Sequence, residues 1–112
     1  MKRYEKSIKE IIFRHLTDDK WWVFLFGSRT AQINSQRADY DVGLFSQNSS
    51  LPLLVMSKIE GELEESNIPY IVDIVDFSKV DDNFKKVAGR KVILWKKPKG
   101  QSPPEWMHLV EH

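Results

Sequence analysis

The sequence contains no cysteine, which excludes a disulfide framework, a thiolate metal site and a cysteine nucleophile together, and fits a reducing compartment. It also lacks any apolar run approaching the roughly 18 residues that a membrane span needs. It opens on Met1-Lys2-Arg3-Tyr4-Glu5 instead of the apolar stretch of a secretory signal. The expectation is a cytoplasmic protein with no membrane partner. Net charge is scarce too: 17 Lys and Arg stand against 16 Asp and Glu, leaving +1. No strong basic stripe points to nucleic acid, and no internal repeat is visible.

What the 112 residues do hold, with 41% hydrophobic, 12% aromatic and 29% charged side chains, is the material of one ordinary globular domain. The charge is unevenly spread. Residues 21–78 contain three basic side chains (Arg29, Arg37, Lys58) and eight acids, a local net of 3 − 8 = −5. An acidic middle that handles a polyanion needs a cation between the two. Glu60, Glu62, Glu64 and Glu65 read more simply, as the solvated face of a helix.

Tyr4, Ile8, Ile11, Ile12 and Leu16 form one stripe of an amphipathic helix that ends at Thr17-Asp18-Asp19. Trp21-Trp22-Val23-Phe24-Leu25-Phe26 reads as a strand buried on both faces. A short helix at Ala31-Gln32-Ile33 and a second strand over residues 40–45 follow. Ser50 is then placed to cap a helix over residues 51–65, with Pro52 near its first turn. Tyr70-Ile71-Val72-Asp73-Ile74-Val75 is β-branched and apolar, a third strand. Asp81 or Asp82 caps a short helix through Phe84, Val87 and Ala88 that Gly89 terminates, and Val92-Ile93-Leu94-Trp95 is a last strand. The order predicts an α+β fold, a small mixed β-sheet with helices packed mainly on one face. Its domain spans residues 1–96, and residues 97–112 form a tail. Trp106, Met107 and Leu109 of that tail suit either a partner or homodimer surface or a return onto the chain's own core.

The chemistry concentrates in Phe26-Gly27-Ser28-Arg29 and Asp39-Tyr40-Asp41. An apolar strand that breaks at Gly-Ser and enters a helix offers unpaired N–H groups and a hydroxyl to an anion, and Arg29 suits the same anion. Asp39 and Asp41, at i and i+2, project from one strand face. Asp73, with apolar neighbours on both sides, is expected to be half-buried and to need a cationic partner, for which a divalent metal shared with Asp39 and Asp41 is the best candidate. Asp76 reads as a strand-end or turn residue on the opposite face. Three carboxylates holding two Mg²⁺ ions beside a phosphate cradle make a machine for nucleotidyl transfer. The competing readings are a binding module that works by contact alone and a small RNA-end-modifying enzyme.

Phe-Gly-Ser-Arg at 26–29, Asp-x-Asp at 39–41 and Val-Asp-Ile-Val-Asp at 72–76 together resemble the minimal nucleotidyltransferases, or MNT domains, of the DNA polymerase β superfamily. The likeness runs from the leading helix to Phe84-Lys85-Lys86-Val87 and Val92-Ile93-Leu94. The resemblance implies that Gly27, Ser28 and Arg29 bind ATP or another nucleoside triphosphate. It implies that Asp39 and Asp41 are the paired metal ligands and that Asp73 is the third catalytic carboxylate. Many members have glycine where this chain has Gln32 and serine where it has Ala38, departures that would loosen nucleotide binding. The resemblance further implies a helical HEPN-type partner encoded nearby, the two forming a toxin–antitoxin pair with the MNT protein as antitoxin. In some such pairs AMP is moved from ATP to a tyrosine of the toxin.

Overall fold

The computed structural model describes residues 2–27 and 39–110. Its elements are α1 (Lys2–His15), β1 (Trp22–Phe26), β2 (Tyr40–Phe45), α2 (Leu53–Glu65), β3 (Val72–Asp76), α3 (Asp82–Ala88) and β4 (Ile93–Lys96). The short helix expected at 31–33 lies outside the described residues. The four strands form one mixed sheet in the order β3-β2-β1-β4. β1 is antiparallel to both β2 and β4, while β2 and β3 are parallel. A parallel pair needs a crossover, and α2 supplies it.

The two-residue period of β1 divides the core. Val23 and Leu25 face Ile8, Ile12 and Leu16 of the α1 segment and Ile59 and Leu63 of α2. Trp22, Phe24 and Phe26 face the other way, toward Phe77, Val92 and Met107. Both faces are therefore apolar, as the unbroken run at 21–26 demands, with the two long helices on one side. On the other side Trp106 stacks on Phe77, ring centroids 5.4 Å apart and planes at 13°. Val92 N–H donates to the His108 carbonyl at 2.9 Å. Trp106 and Met107 thus return onto the chain's own core. Gly43 lets β2 pass beneath these rings, since a Cβ there would stand 2.3 Å from a ring carbon of Phe24. No helix among the described residues is long and apolar enough to cross a membrane.

Three local expectations need correction. Ser50 does not cap α2: the residue before the helix is Pro52, with no side-chain capping bond. The approach to α2 is held instead by Asp76, whose Oδ2 accepts from Leu51 N–H at 2.8 Å. Glu62 is not merely solvated, for it pairs with Arg14 and, at 2.7 Å, with His15 Nε2, tying α2 to α1. The third correction concerns which acid of β3 is buried. Asp73 is exposed, and Asp76 is the buried one, 6% exposed. Asp76 Oδ1 accepts from both the N–H and the hydroxyl of Ser78, at 3.0 and 2.7 Å. Asp81 caps α3 as expected, accepting from Phe84 N–H at 2.7 Å.

These two acids have opposite mutational expectations. Asp76→Ala strands the buried Leu51 N–H and removes two further bonds to a charged acceptor, a loss of about 3 kcal/mol. The melting temperature should fall by more than about 10 °C. Asp73→Ala, at an exposed position of an edge strand, should stay within about 0.5 kcal/mol of the parent. Thermal melts of the two variants side by side check both.

Candidate active site

Strand directions bring the predicted residues to one end of the sheet. Because β1 runs antiparallel to β2 and β2 parallel to β3, the finish of β1 meets the starts of the other two. The register pairs Phe26 with Asp41 and Asp41 with Asp73. Asp39 enters just before β2, where Tyr40 N–H donates to the Ile71 carbonyl at 2.9 Å. Tyr40, Val42 and Leu44 point into the α1–α2 core. The alternation therefore turns Asp41, and with it Asp39, toward the opposite face of the sheet.

The charges of Asp73 and Asp39 both act on Asp41. The Asp41 carboxyl is pushed above the usual carboxylate range, first by its own burial, then by the negative charge of Asp73 and then by that of Asp39. Burial and like charge both disfavour the ionised form, and a cation would oppose both. Among the described residues no group of three His, Cys, Asp or Glu side chains is arranged to hold a metal ion. The donor chemistry nonetheless fits one: these are hard oxygen ligands of the kind Mg²⁺ takes, gathered at the starts of β2 and β3, with like charges meeting at Asp41.

Gly27 completes the arrangement. It follows Phe26 with φ of +80°, a left-handed conformation that favours glycine. A Cβ built there would stand 2.2 Å from Asp41 Oδ2. The backbone at the end of β1 therefore lies directly against the central carboxylate. Ser28 and Arg29, assigned with Gly27 to phosphate binding, lie outside the described residues, as do Gln32 and Ala38.

Asp76 takes no part in this cluster. It lies at the far end of β3, opposite Leu44 in the register, with its oxygens committed to Leu51 and Ser78. A groove of about 410 Å³ also opens at Gly27, walled by Phe26 and by Phe84 and Val87 of α3. Sequence reasoning counts those α3 residues simply as the helix's apolar positions. The signal that sets them apart is the Arg90-Lys91 pair just after the helix.

Residues 6–99 match the family described as Polymerase beta, Nucleotidyltransferase. Among curated proteins the chain is 28% identical over 94 residues to a probable protein adenylyltransferase MntA of Haemophilus influenzae, covering 84% of this chain and 80% of that protein. Among solved structures, a toxin–antitoxin with AMP-PNP is similar with a TM-score of 0.65 at 15% identity, over 83% of this chain and 73% of that one. A mutant of the toxin–antitoxin MntA-HpeT gives 0.64 at 18% identity, over 85% and 73%. The α+β arrangement of a mixed four-stranded sheet with helices is shared with these structures.

Proposed function

Since this chain belongs to the polymerase beta nucleotidyltransferase family, we propose that it moves AMP from ATP to a hydroxyl of a helical HEPN-type partner and serves as the antitoxin of that pair. The observation that carries the reading is the Asp41 carboxyl, raised first by its burial and then by Asp73 and Asp39, with Gly27 against it. Support for the acceptor class comes from the MntA relative, described as a probable protein adenylyltransferase, and from the toxin–antitoxin assemblies that share the fold.

In this reading Asp39, Asp41 and Asp73 would hold two Mg²⁺ ions, which would supply positive charge to the triphosphate and lower the pKa of the attacking hydroxyl. Gly27, lacking a side chain, lets the β- and γ-phosphates approach the backbone, and Ser28 and Arg29 add a hydroxyl and a cation to the same cradle. Asp73, the exposed acid, faces the arriving acceptor and takes its proton. The acceptor oxygen bonds to the α-phosphorus, the bond from that phosphorus to the bridging oxygen breaks, and pyrophosphate leaves with the electron pair.

A second reading has an observation of its own. The lack of a three-residue metal-binding arrangement among the described residues suits a module that neutralises its partner by contact alone. Intact mass of the partner after incubation with Mg²⁺ and ATP separates the two. A gain of one AMP, lost when EDTA replaces Mg²⁺, is the expected result. An unmodified partner, still suppressed in cells by a chain carrying both Asp39→Ala and Asp41→Ala, favours contact alone.

A further inference from the structure

Helix α3 presents an apolar surface that the core uses only in part. Phe84 and Val87, one turn apart, are 40% and 54% exposed, and no residue of α3 is buried. The Phe84 ring is nonetheless held in place. It meets Phe26 edge-on, centroids 6.2 Å apart at 81°, and Phe77 at 5.6 Å and 57°. A ring backed by two aromatic neighbours and open on its remaining side is a prepared stacking surface.

The groove it walls is mostly apolar and is lined also by Gly27, Arg90 and Lys91, the two cations being exposed. Its volume of about 410 Å³ falls within the range of small-molecule sites. Gly27 is shared with the carboxylate cluster, so a ligand anchored there extends naturally into the groove. Charge narrows the class of ligand. The segment 21–78 carries a net of −5 and would repel a triphosphate, whereas Arg90 and Lys91 bring two cations from outside that segment to the same groove. A flat apolar body joined to an anionic chain satisfies the aromatic wall, the cationic rim and the glycine end together.

We infer that this groove seats the base and sugar of the nucleoside triphosphate, stacked on Phe84 and packed against Val87, while Arg90 and Lys91 screen its phosphates. The inference rests on the nucleotidyltransferase reading and deepens it by naming the residues that grip the nucleoside.

Calorimetric titration of the whole chain with ATP and with inorganic tripolyphosphate, each with Mg²⁺, tests it. The parent should bind ATP about 10-fold more tightly than tripolyphosphate. Phe84→Ala and Val87→Asn should each remove about that factor for ATP and leave tripolyphosphate unchanged, since neither changes the charge of the groove, whereas Arg90→Gln with Lys91→Gln should weaken both ligands. Val87 is the more exposed of the two, so its variant stands even if Phe84→Ala perturbs the aromatic cluster. Unchanged ATP affinity in Val87→Asn, or a parallel loss of tripolyphosphate, overturns the inference. So does a parent that binds no ATP. The proposed function can fail separately: ATP binding that depends on Val87, without transfer to the partner, upholds the groove and removes the transferase reading. Transfer that proceeds with unaltered KM for ATP in Val87→Asn removes the groove and upholds the transferase.

Discussion

Asp41→Asn should reduce AMP transfer by about a thousandfold while leaving the protein folded, because it removes the central charge of the cluster without changing its shape. The same substitution should change the pH dependence of stability in a direction that a merely structural residue would not. In the folded chain the Asp41 carboxyl holds its proton above the usual carboxylate range through burial, Asp73 and Asp39. The folded state therefore binds that proton more tightly than the unfolded state does. The contribution of Asp41 to the stability of the metal-free protein is therefore fully present at low pH, and it is lost as pH rises from the unfolded carboxylate value through the raised one. Asparagine has nothing to ionise, so the variant should be at least as stable as the parent at neutral pH in chelator, and it should lack this loss as pH rises. Added Mg²⁺ should raise the melting temperature of the parent and do little for the variant. Melts at acidic and neutral pH, with EDTA and with Mg²⁺, read all of these effects.

Gly27→Ala should be nearly as damaging to activity, by a different route. The φ of +80° costs an L-residue about 1 to 2 kcal/mol, a loss visible as a modest drop in melting temperature. The larger effect is local. The new methyl would fall 2.2 Å from Asp41 Oδ2, and the carboxylate, as the end of a short side chain, is what must yield. Displacing it moves the central ligand away from the phosphates, and a misplacement of about 1 Å is worth roughly a hundredfold in rate. Transfer should therefore fall at least about a hundredfold while the protein remains mostly folded at room temperature. Activity assays beside circular dichroism separate the two effects. A variant with full activity would show that Gly27 is needed only for the turn.

Much of this is legible in the sequence where local pattern and burial agree. The run at 21–26 is apolar at every position because β1 lies inside the sheet with both faces covered. The period of two turns Asp39 and Asp41 to one face whatever the remainder of the fold. Asp73 is more instructive. Its alignment with Asp41 is as expected, but half-burial fails because β3 is an edge strand, and a strand's place in the sheet is set by long-range pairing that no local stretch encodes. The same long-range contact explains Asp76 and Ser50. A strand-end acid is readable from Phe77-Ser78, whereas its reach to Leu51, 25 residues away, displaces the local cap. The tail's Trp106 and Met107 announce an apolar docking site without saying where. Phe77, itself packed between Phe24 and Phe26, supplies it.

Transfer by this site depends above all on Asp39, Asp41 and Asp73 sharing divalent metal beside Gly27. Manganese is the direct probe, because its electron paramagnetic resonance signal reports how many ions are bound in the presence of a nonhydrolysable ATP analogue. The parent should bind close to two ions per chain with the analogue and fewer without it, and Asp39→Asn with Asp41→Asn should bring binding to background. Equal manganese binding by parent and double variant, with the analogue present, would contradict the claim.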